Sequence, residues 1–403
     1  MPTPAVTLKD ILAARDRIAD AVYRSPCPYS LSLSRFCGAR VHCKLDHLQM
    51  TGSFKERGAR NRLLLLDERQ RRRGVVAASA GNHALGLAYH GGLLGIPVTV
   101  VMPMWAPLVK VANCRSFAAE VVLHGESFDE ARALAMERCR AEGRVYVHGF
   151  DDPEVIAGQG TLGLEILEDV PDVDAVVLPV GGGGLIAGVA TAVKALRPDV
   201  RIIGVEPVNA PTMHESLKRG EVTRIDARET IADGLAIAEC GRNCFEIVRR
   251  LVDDVVLVEE EQIAAAVLRL LELEKTVVEG AGAVPLAAMS LPLGLAGKRV
   301  VLVLCGGNID VTLIQRIIER GLAAEGRLCR RVVSISDRPG SLAKLLATIA
   351  GTAASIKEVS HDRNFGPADV RRVAVVCVLE TRDAAHIAEV DRALAAAGYE
   401  SSR

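Results

Sequence analysis

Between residues 39 and 305 the chain keeps returning to one pattern: a short Val/Ile/Leu/Ala run bounded by turn residues, then a longer stretch with helical spacing. The runs are "ARVHCKL", "GVVAAS", "PVTVVM", "AEVVLH", "DAVVLPV", "VRIIGVE" and "RVVLVLC", the last ending at Cys305. Between them lie "HALGLAYHGGLLG", "SFDEARALAMERCRAEG" and "LIAGVATAVKALR". A strand that is apolar almost throughout has no face for water, so it needs a helix layer on both sides. Such alternation predicts an α/β fold built on parallel sheets. Hydrophobic residues are 49 % of the chain and aromatics only 3 %, so aliphatic side chains must supply the core.

The chain has 403 residues, too many for one ordinary core. Residues 7–22 predict an amphipathic N-terminal helix, with Thr7 as N-cap and Asp10 completing the cap. The pattern changes at 321–329, "GLAAEGRLC", a Gly/Ala connection read as a linker. Beyond it "RRVVSISD", "PGSLAKLLATIAG" opened by Pro339, "ASIKEVSHD", "VRRVAVVCVLE" and "DAAHIAEVDRALAAAG" read as βαββα. That is most of an α+β ferredoxin-like unit, and the end at "YESSR" leaves little room for a full fourth strand. The expected domains are 1–320, with a smaller subdomain at about 52–150 inserted in the larger, and 330–403.

Formal net charge is −1, from 49 basic and 50 acidic residues. That balance gives no electrostatic footprint for nucleic acid or an anionic membrane. No apolar run reaches spanning length, and the N-terminus turns charged before a signal-peptide core could form. Ten cysteines occur without a CxxC pair, and Cys240 and Cys244 lack partners for a zinc site. The expectation is free thiols in a cytoplasmic protein with no metal centre.

Four stretches carry chemistry. "PVGGGGLIAG" sets Gly181–Gly184 between a strand and a helix, where consecutive glycines favour neither element. Bare backbone N–H groups at a helix start suit a phosphate. Gly182, Gly184 and Ala187 also satisfy GxGxxA, with Glu206 near the acidic position of a nicotinamide-binding motif, so that rival stands on this stretch alone. "ASAGNHALG" offers Ser79, Gly81 and Asn82 at another helix start, suited to a small carboxylate. "VLVLCGGNID" puts Cys305 at a strand C-terminus, where α/β ligands sit. "TGSFKERGAR" sets Lys55 among small neighbours. A lysine more often lies on a solvated face; here it can instead be an amine holding a carbonyl cofactor.

Together these stretches, with "IAGQGT" (156–161), "GVEP" (204–207) and "IADGLA" (231–236), resemble the threonine/serine dehydratase branch of the fold type II pyridoxal-phosphate enzymes, which includes serine racemase. The resemblance covers residues 5–320. It implies pyridoxal 5'-phosphate as cofactor, with Lys55 as its Schiff-base lysine and Phe54 against its ring. Asn82 would meet the phenolic oxygen, Gly181–Gly184 and Leu185 the phosphate, and Cys305 the pyridine nitrogen. The loop Ser79, Ala80, Gly81, Asn82 and His83 would clasp the substrate carboxylate. The nicotinamide reading explains none of the other stretches and falls.

The activity implied is β-elimination of L-threonine to 2-oxobutanoate and ammonia, with L-serine also accepted. A serine dehydratase and a non-catalytic amino-acid-binding regulator are the alternatives. Racemase relatives carry a second serine where this chain has Ala80, which disfavours racemisation. Some relatives bind a divalent cation through the glutamate of "GVEP" and a carboxylate six residues on; Glu206 is present, but the later position is Thr212. The C-terminal segment resembles an ACT domain through "DRPGSLAKLL", which implies an amino-acid effector such as L-isoleucine or L-valine near Asp337 and Gly340. A homo-oligomer and a place in isoleucine biosynthesis follow from the same resemblance.

Overall fold

The computed structural model describes residues 6–106, 108–362, 369 and 371–402, and divides into two compact units, Met1–Ile309 and Asp310–Arg403. The first carries two parallel sheets. The larger runs Arg40–Lys44, Arg299–Val303, Ala175–Pro179, Arg201–Pro207, Asp254–Val258. The smaller runs Glu120–Leu123, Val98–Met102, Val75–Ala78, Val145–Tyr146. All of the smaller sheet's strands lie between the first two strands, in chain order, of the larger sheet. Strands 75–78, 98–102 and 175–179 are buried at every residue, which is why their sequences show no alternation. Two strands did not stand out in sequence: Val145–Tyr146 is only two residues long, and Asp254–Val258 is an edge strand with a mixed burial pattern.

One helix, Pro153–Asp169, ties the unit together. Its "IAGQGT" glycines work by close approach. A Cβ on Gly158 would lie 2.6 Å from the Arg57 carbonyl oxygen and from Gly58 Cα, so the helix Lys55–Leu64 packs backbone to backbone there. A Cβ on Gly160 would lie 2.9 Å from the Gly188 carbonyl oxygen, on the helix Gly184–Leu196. Gln159, between them, accepts from Gly58 N–H at 3.2 Å. The lysine-bearing helix and the glycine-loop helix are thus registered against the same rod.

Beneath the lysine helix lies a buried ionic cluster. Arg57 donates to both oxygens of Asp46 (2.7 and 2.8 Å) and both of Glu165 (2.6 and 2.9 Å). Lys44 Nζ meets Glu165 at 2.7 Å and Asp169 at 3.1 Å. Burial pushes the Asp46 carboxyl up, but the Arg57 guanidinium outweighs it and holds the group below the usual carboxylate range.

The N-terminal helix spans Leu8–Ile18, shorter than expected, with the reciprocal Thr7–Asp10 cap in place. The second unit is a helix, Val311–Ala324, followed by an antiparallel sheet ordered Ser355–Asp362, Arg372–Glu380, Leu328–Ser336, Glu400–Ser402. Strand 372–380 alternates in burial and turns one face onto the helices Ser341–Ala350 and Ala384–Ala396. Three sequence expectations change here. Residues 321–329 do not form an open linker, because the helix runs to Ala324 and the next strand begins at Leu328. Pro339 does not open its helix; Gly340, at φ +87°, is the N-cap of one starting at Ser341. And the last residues do form a fourth strand, a short one, pairing with Val332–Ser334.

Candidate active site

Lys55 opens its helix directly after a segment stitched to the end of strand 299–303. Phe54 N–H donates to the Cys305 carbonyl (3.0 Å), Gly307 N–H to the Gly52 carbonyl (2.9 Å), and Asn308 Nδ2 to the Thr51 carbonyl (2.8 Å). Gly52 sits at φ +75°, and a Cβ there would lie 2.7 Å from Asn308 Oδ1, so this position requires glycine twice over. Lys55 Nζ donates to the Gly149 carbonyl at 2.8 Å and stands 5.0 Å from the centroid of the Phe54 ring. Burial pulls its pKa down to about 8; the nearby Cys305, Cys244 and Glu279 oppose that only in part. Cys305 is buried, and burial pushes its thiol well above the ordinary range, so it is a neutral donor.

The Gly181–Gly184 loop joins strand 175–179 to the helix that Gly184 begins. Among the described residues, the N–H groups of Gly182, Gly183, Gly184 and Leu185 meet no protein acceptor. Gly183 is at φ +96°. A Cβ on Gly182 would fall 2.3 Å from the Phe150 ring, and one on Gly184 2.8 Å from the Phe150 carbonyl oxygen. Bare amides at the mouth of a helix, with no side chain able to cover them, suit an anion.

Asn82 begins the helix Asn82–Leu94. Its Nδ2 donates to Glu279 Oε1 at 2.8 Å, and its Oδ1 accepts from Asn308 Nδ2 at 2.8 Å, so its amide is fixed in one orientation. Burial, then the charge of Asp233, push Glu279 up to about 7. Ser79 Oγ accepts from Gly81 N–H at 3.2 Å. The His83 ring faces the Val147 carbonyl at 3.1 Å, and burial, then Lys55, pull its pKa down to about 3. It is a neutral ring braced on the residue just past strand 145–146 rather than a cation for a carboxylate. Ala80 packs partly buried against the smaller sheet's core.

Lys55, Phe54, Asn82 and Cys305 are therefore linked through the 305–308 turn, and Lys55 meets the glycine loop through Gly149–Phe150. Asp337 and Gly340 belong to the second unit, where Asp337 N–H donates to the Arg371 carbonyl at 2.8 Å. Glu206 accepts from the N–H groups of Met213 and His214, both at 2.8 Å, so its carboxyl caps the helix Thr212–Arg219. Sequence reasoning assigned nothing to Gly149, Phe150 or Asn308. "VHGFDDP" had a usable signal, a Gly–Phe pair between a strand and an Asp-capped helix start.

A bound phosphate ester bearing a carbonyl is what this set fits: amides for the phosphate, an amine of depressed pKa for the carbonyl, a neutral thiol for a ring nitrogen. Residues 18–306 match the family model for pyridoxal-phosphate dependent enzyme. The chain belongs to that family. A relative from Thermotoga maritima, named L-threonine ammonia-lyase, is 47 % identical over 395 residues, 98 % of each chain. Among solved structures, threonine deaminase isoform 2 from Solanum lycopersicum aligns with TM-score 0.74 and 38 % identity over 77 % of this chain and 86 % of that one. Maize serine racemase aligns with TM-score 0.75 and 34 % identity over 79 % and 99 %. The two-sheet unit is thus the fold type II architecture, and the protein is a pyridoxal-phosphate dependent ammonia-lyase by family.

Proposed function

We propose that the chain is a threonine ammonia-lyase, with L-serine as a second substrate. The observation that carries this is the near full-length similarity to L-threonine ammonia-lyase from Thermotoga maritima, together with a lysine of depressed pKa between a glycine loop and a carboxylate-sized helix start. Pyridoxal phosphate, when bound, supplies the electron sink that makes the substrate Cα proton acidic. The N–H groups of Gly182–Leu185 would hold its phosphate, Asn82 its phenolic oxygen and Cys305 its ring nitrogen. Backbone and side-chain donors of Ser79–His83 hold the substrate carboxylate. Lys55 Nζ takes the Cα proton, and its depressed pKa gives it a working neutral fraction near neutral pH. The β-hydroxyl leaves as water with the proton that Lys55 took from Cα, and the enamine left behind, once free, tautomerises and takes up water to give 2-oxobutanoate and ammonia.

Ala80 offers no proton donor on the face opposite Lys55, which favours elimination over racemisation. The C-terminal residues 330–403 act as an ACT-like amino-acid sensor, with isoleucine or valine as effector, and the enzyme works as a cytoplasmic homo-oligomer. The absence, among the described residues, of any helix long and apolar enough to cross a membrane is compatible with that location, as are ten free cysteines. The test is 2-oxo acid release from L-threonine and L-serine, each with and without L-isoleucine. Threonine preference with isoleucine inhibition, lost on Asp337→Ala in the full chain, supports a biosynthetic gate. No release from either substrate refutes the assignment.

A further inference from the structure

Glu56 follows Lys55 directly and is wholly buried. Its side chain folds back over the turn, and Oε1 accepts from Thr51 N–H, the first residue of the segment that leads into the lysine. The other restraints on that segment come from neutral groups, the backbone of 305–307 and the Asn308 amide. The Glu56 contact is made by a wholly buried carboxyl group.

Its second oxygen, Oε2, stands 3.3 Å from His90 Nε2, and His90 is also wholly buried. The contact is long and poorly aligned, and among the described residues neither atom, nor His90 Nδ1, has another hydrogen-bond partner. His90 lies one turn beyond Gly86 on the helix Asn82–Leu94. Gly86 itself packs on the peptide between Lys55 and Glu56; a Cβ there would lie 3.3 Å from Glu56 N and from the Lys55 carbonyl oxygen. The two helices touch at Gly86, and the Glu56–His90 contact closes the next turn. The charged groups close by are otherwise engaged: Arg60 donates to both oxygens of Asp20 (2.6 and 3.2 Å), and Lys55 donates to Gly149. The Tyr89 ring meets His90 edge-on at 4.9 Å. A buried carboxylate with neither a cation nor a proton beside it is costly, and the imidazole is the group positioned to supply one.

We propose that Glu56 and His90 share one proton and form a positioning pair, which clamps the Thr51 amide and locks the helix that starts at Lys55 against the helix that starts at Asn82. The inference rests on Lys55 being the cofactor-bearing lysine. It is independent of which amino acid is the substrate. The pair touches no reacting atom; it acts through Lys55.

The test is hydrogen–deuterium exchange of the holoenzyme, read by mass spectrometry on peptides covering 50–56 and 83–92, for E56A, E56Q, H90Q and E56Q/H90Q. E56A should speed exchange across 50–56 at least tenfold and lower kcat more than it raises KM. E56Q, which keeps an acceptor for Thr51, should stay within about threefold of wild type in 50–56. H90Q should loosen both peptides, because the carboxylate loses its proton partner, and E56Q/H90Q should recover protection by pairing two neutral amides. Wild-type exchange in E56A overturns the clamp, and a double variant no better than H90Q overturns the shared proton. If E56A does not fold, the E56Q, H90Q and double-variant comparison still decides the pairing. Exchange needs no substrate, so a wrong substrate assignment leaves this result standing.

Discussion

Gly183→Ala isolates what the glycine loop demands. The native residue sits at φ +96°, and an added Cβ would lie 2.8 Å from Cys244 Cβ and 2.8 Å from Met213 Cε. Both neighbours are wholly buried, and the Cys244 N–H is held by Asp151 Oδ1 at 3.3 Å, so that side has little room to give. The backbone component costs about 1–2 kcal/mol for an L-residue at positive φ, and overpacking adds about 1–3 kcal/mol. Gly38 supplies the control: it caps a helix at φ +66° with nothing within 4 Å of an added Cβ. Gly38→Ala should therefore lose only the backbone component. In melts the gap between the variants should be roughly 2–6 °C, at about 2 °C per kcal/mol for a unit of this size. The loop amides would also turn from the phosphate, and losing one charge-assisted hydrogen bond of about 1.5–3 kcal/mol weakens cofactor binding roughly 10- to 100-fold. Absorbance titration of apoenzyme with pyridoxal phosphate measures that directly. A Gly183→Ala protein that melts with Gly38→Ala and binds cofactor like wild type would refute the reasoning.

Arg57→Met should destabilise the protein by about 3–5 kcal/mol, because it strands the Asp46 carboxylate without a counter-charge; adding Asp46→Asn should recover part of the loss in melting experiments, and no recovery would count against the ion pair as the cause. Burial raises Glu206 from 4.5 to about 8, so the fold favours its protonated form. That contribution is complete below pH 4.5 and lost as pH rises towards 8, so wild type should lose stability relative to Glu206→Gln between pH 5 and 9, with parallel curves as the contrary result. Acylation of Lys55 in apoenzyme should show a midpoint near pH 8, and a midpoint near 10 would contradict the buried amine; Lys55→Ala should abolish turnover. Ala80→Ser should raise racemisation of L-serine, read by chiral analysis of recovered substrate, and an unchanged enantiomer ratio would remove the two-face argument.

Much of the candidate site was legible because its pieces are local. The glycine run, "SAGNH" and Cys305 each announce a turn at the end of a strand, and "TGSFK" a break just before a helix, all of which depend only on neighbours in the chain. Gly149, Phe150 and Asn308 did not stand out, because their importance lies in contacts to residues far away in sequence: Gly149 to Lys55, Phe150 to Gly182, Asn308 to Thr51 and Asn82. The 321–329 stretch misleads because its glycines read as punctuation, while here Gly321 lies inside a helix that Ala323 and Ala324, good helix formers, extend. The terminal strand was discounted for its length, yet Leu328–Ser336 offers it a free edge to pair with.

What the sequence determined alone is what short-range physics controls: aliphatic runs that must be covered on both faces, the Thr7–Asp10 cap, and glycines where backbone must stand bare. What the tertiary structure decided is which of those pieces meet. The "IAGQGT" glycines are unremarkable in a helix until two other helices press against them. Lys55 is one lysine among many until burial lowers its pKa to about 8. Desolvation and close approach are properties of the packed whole, and no window of sequence contains them.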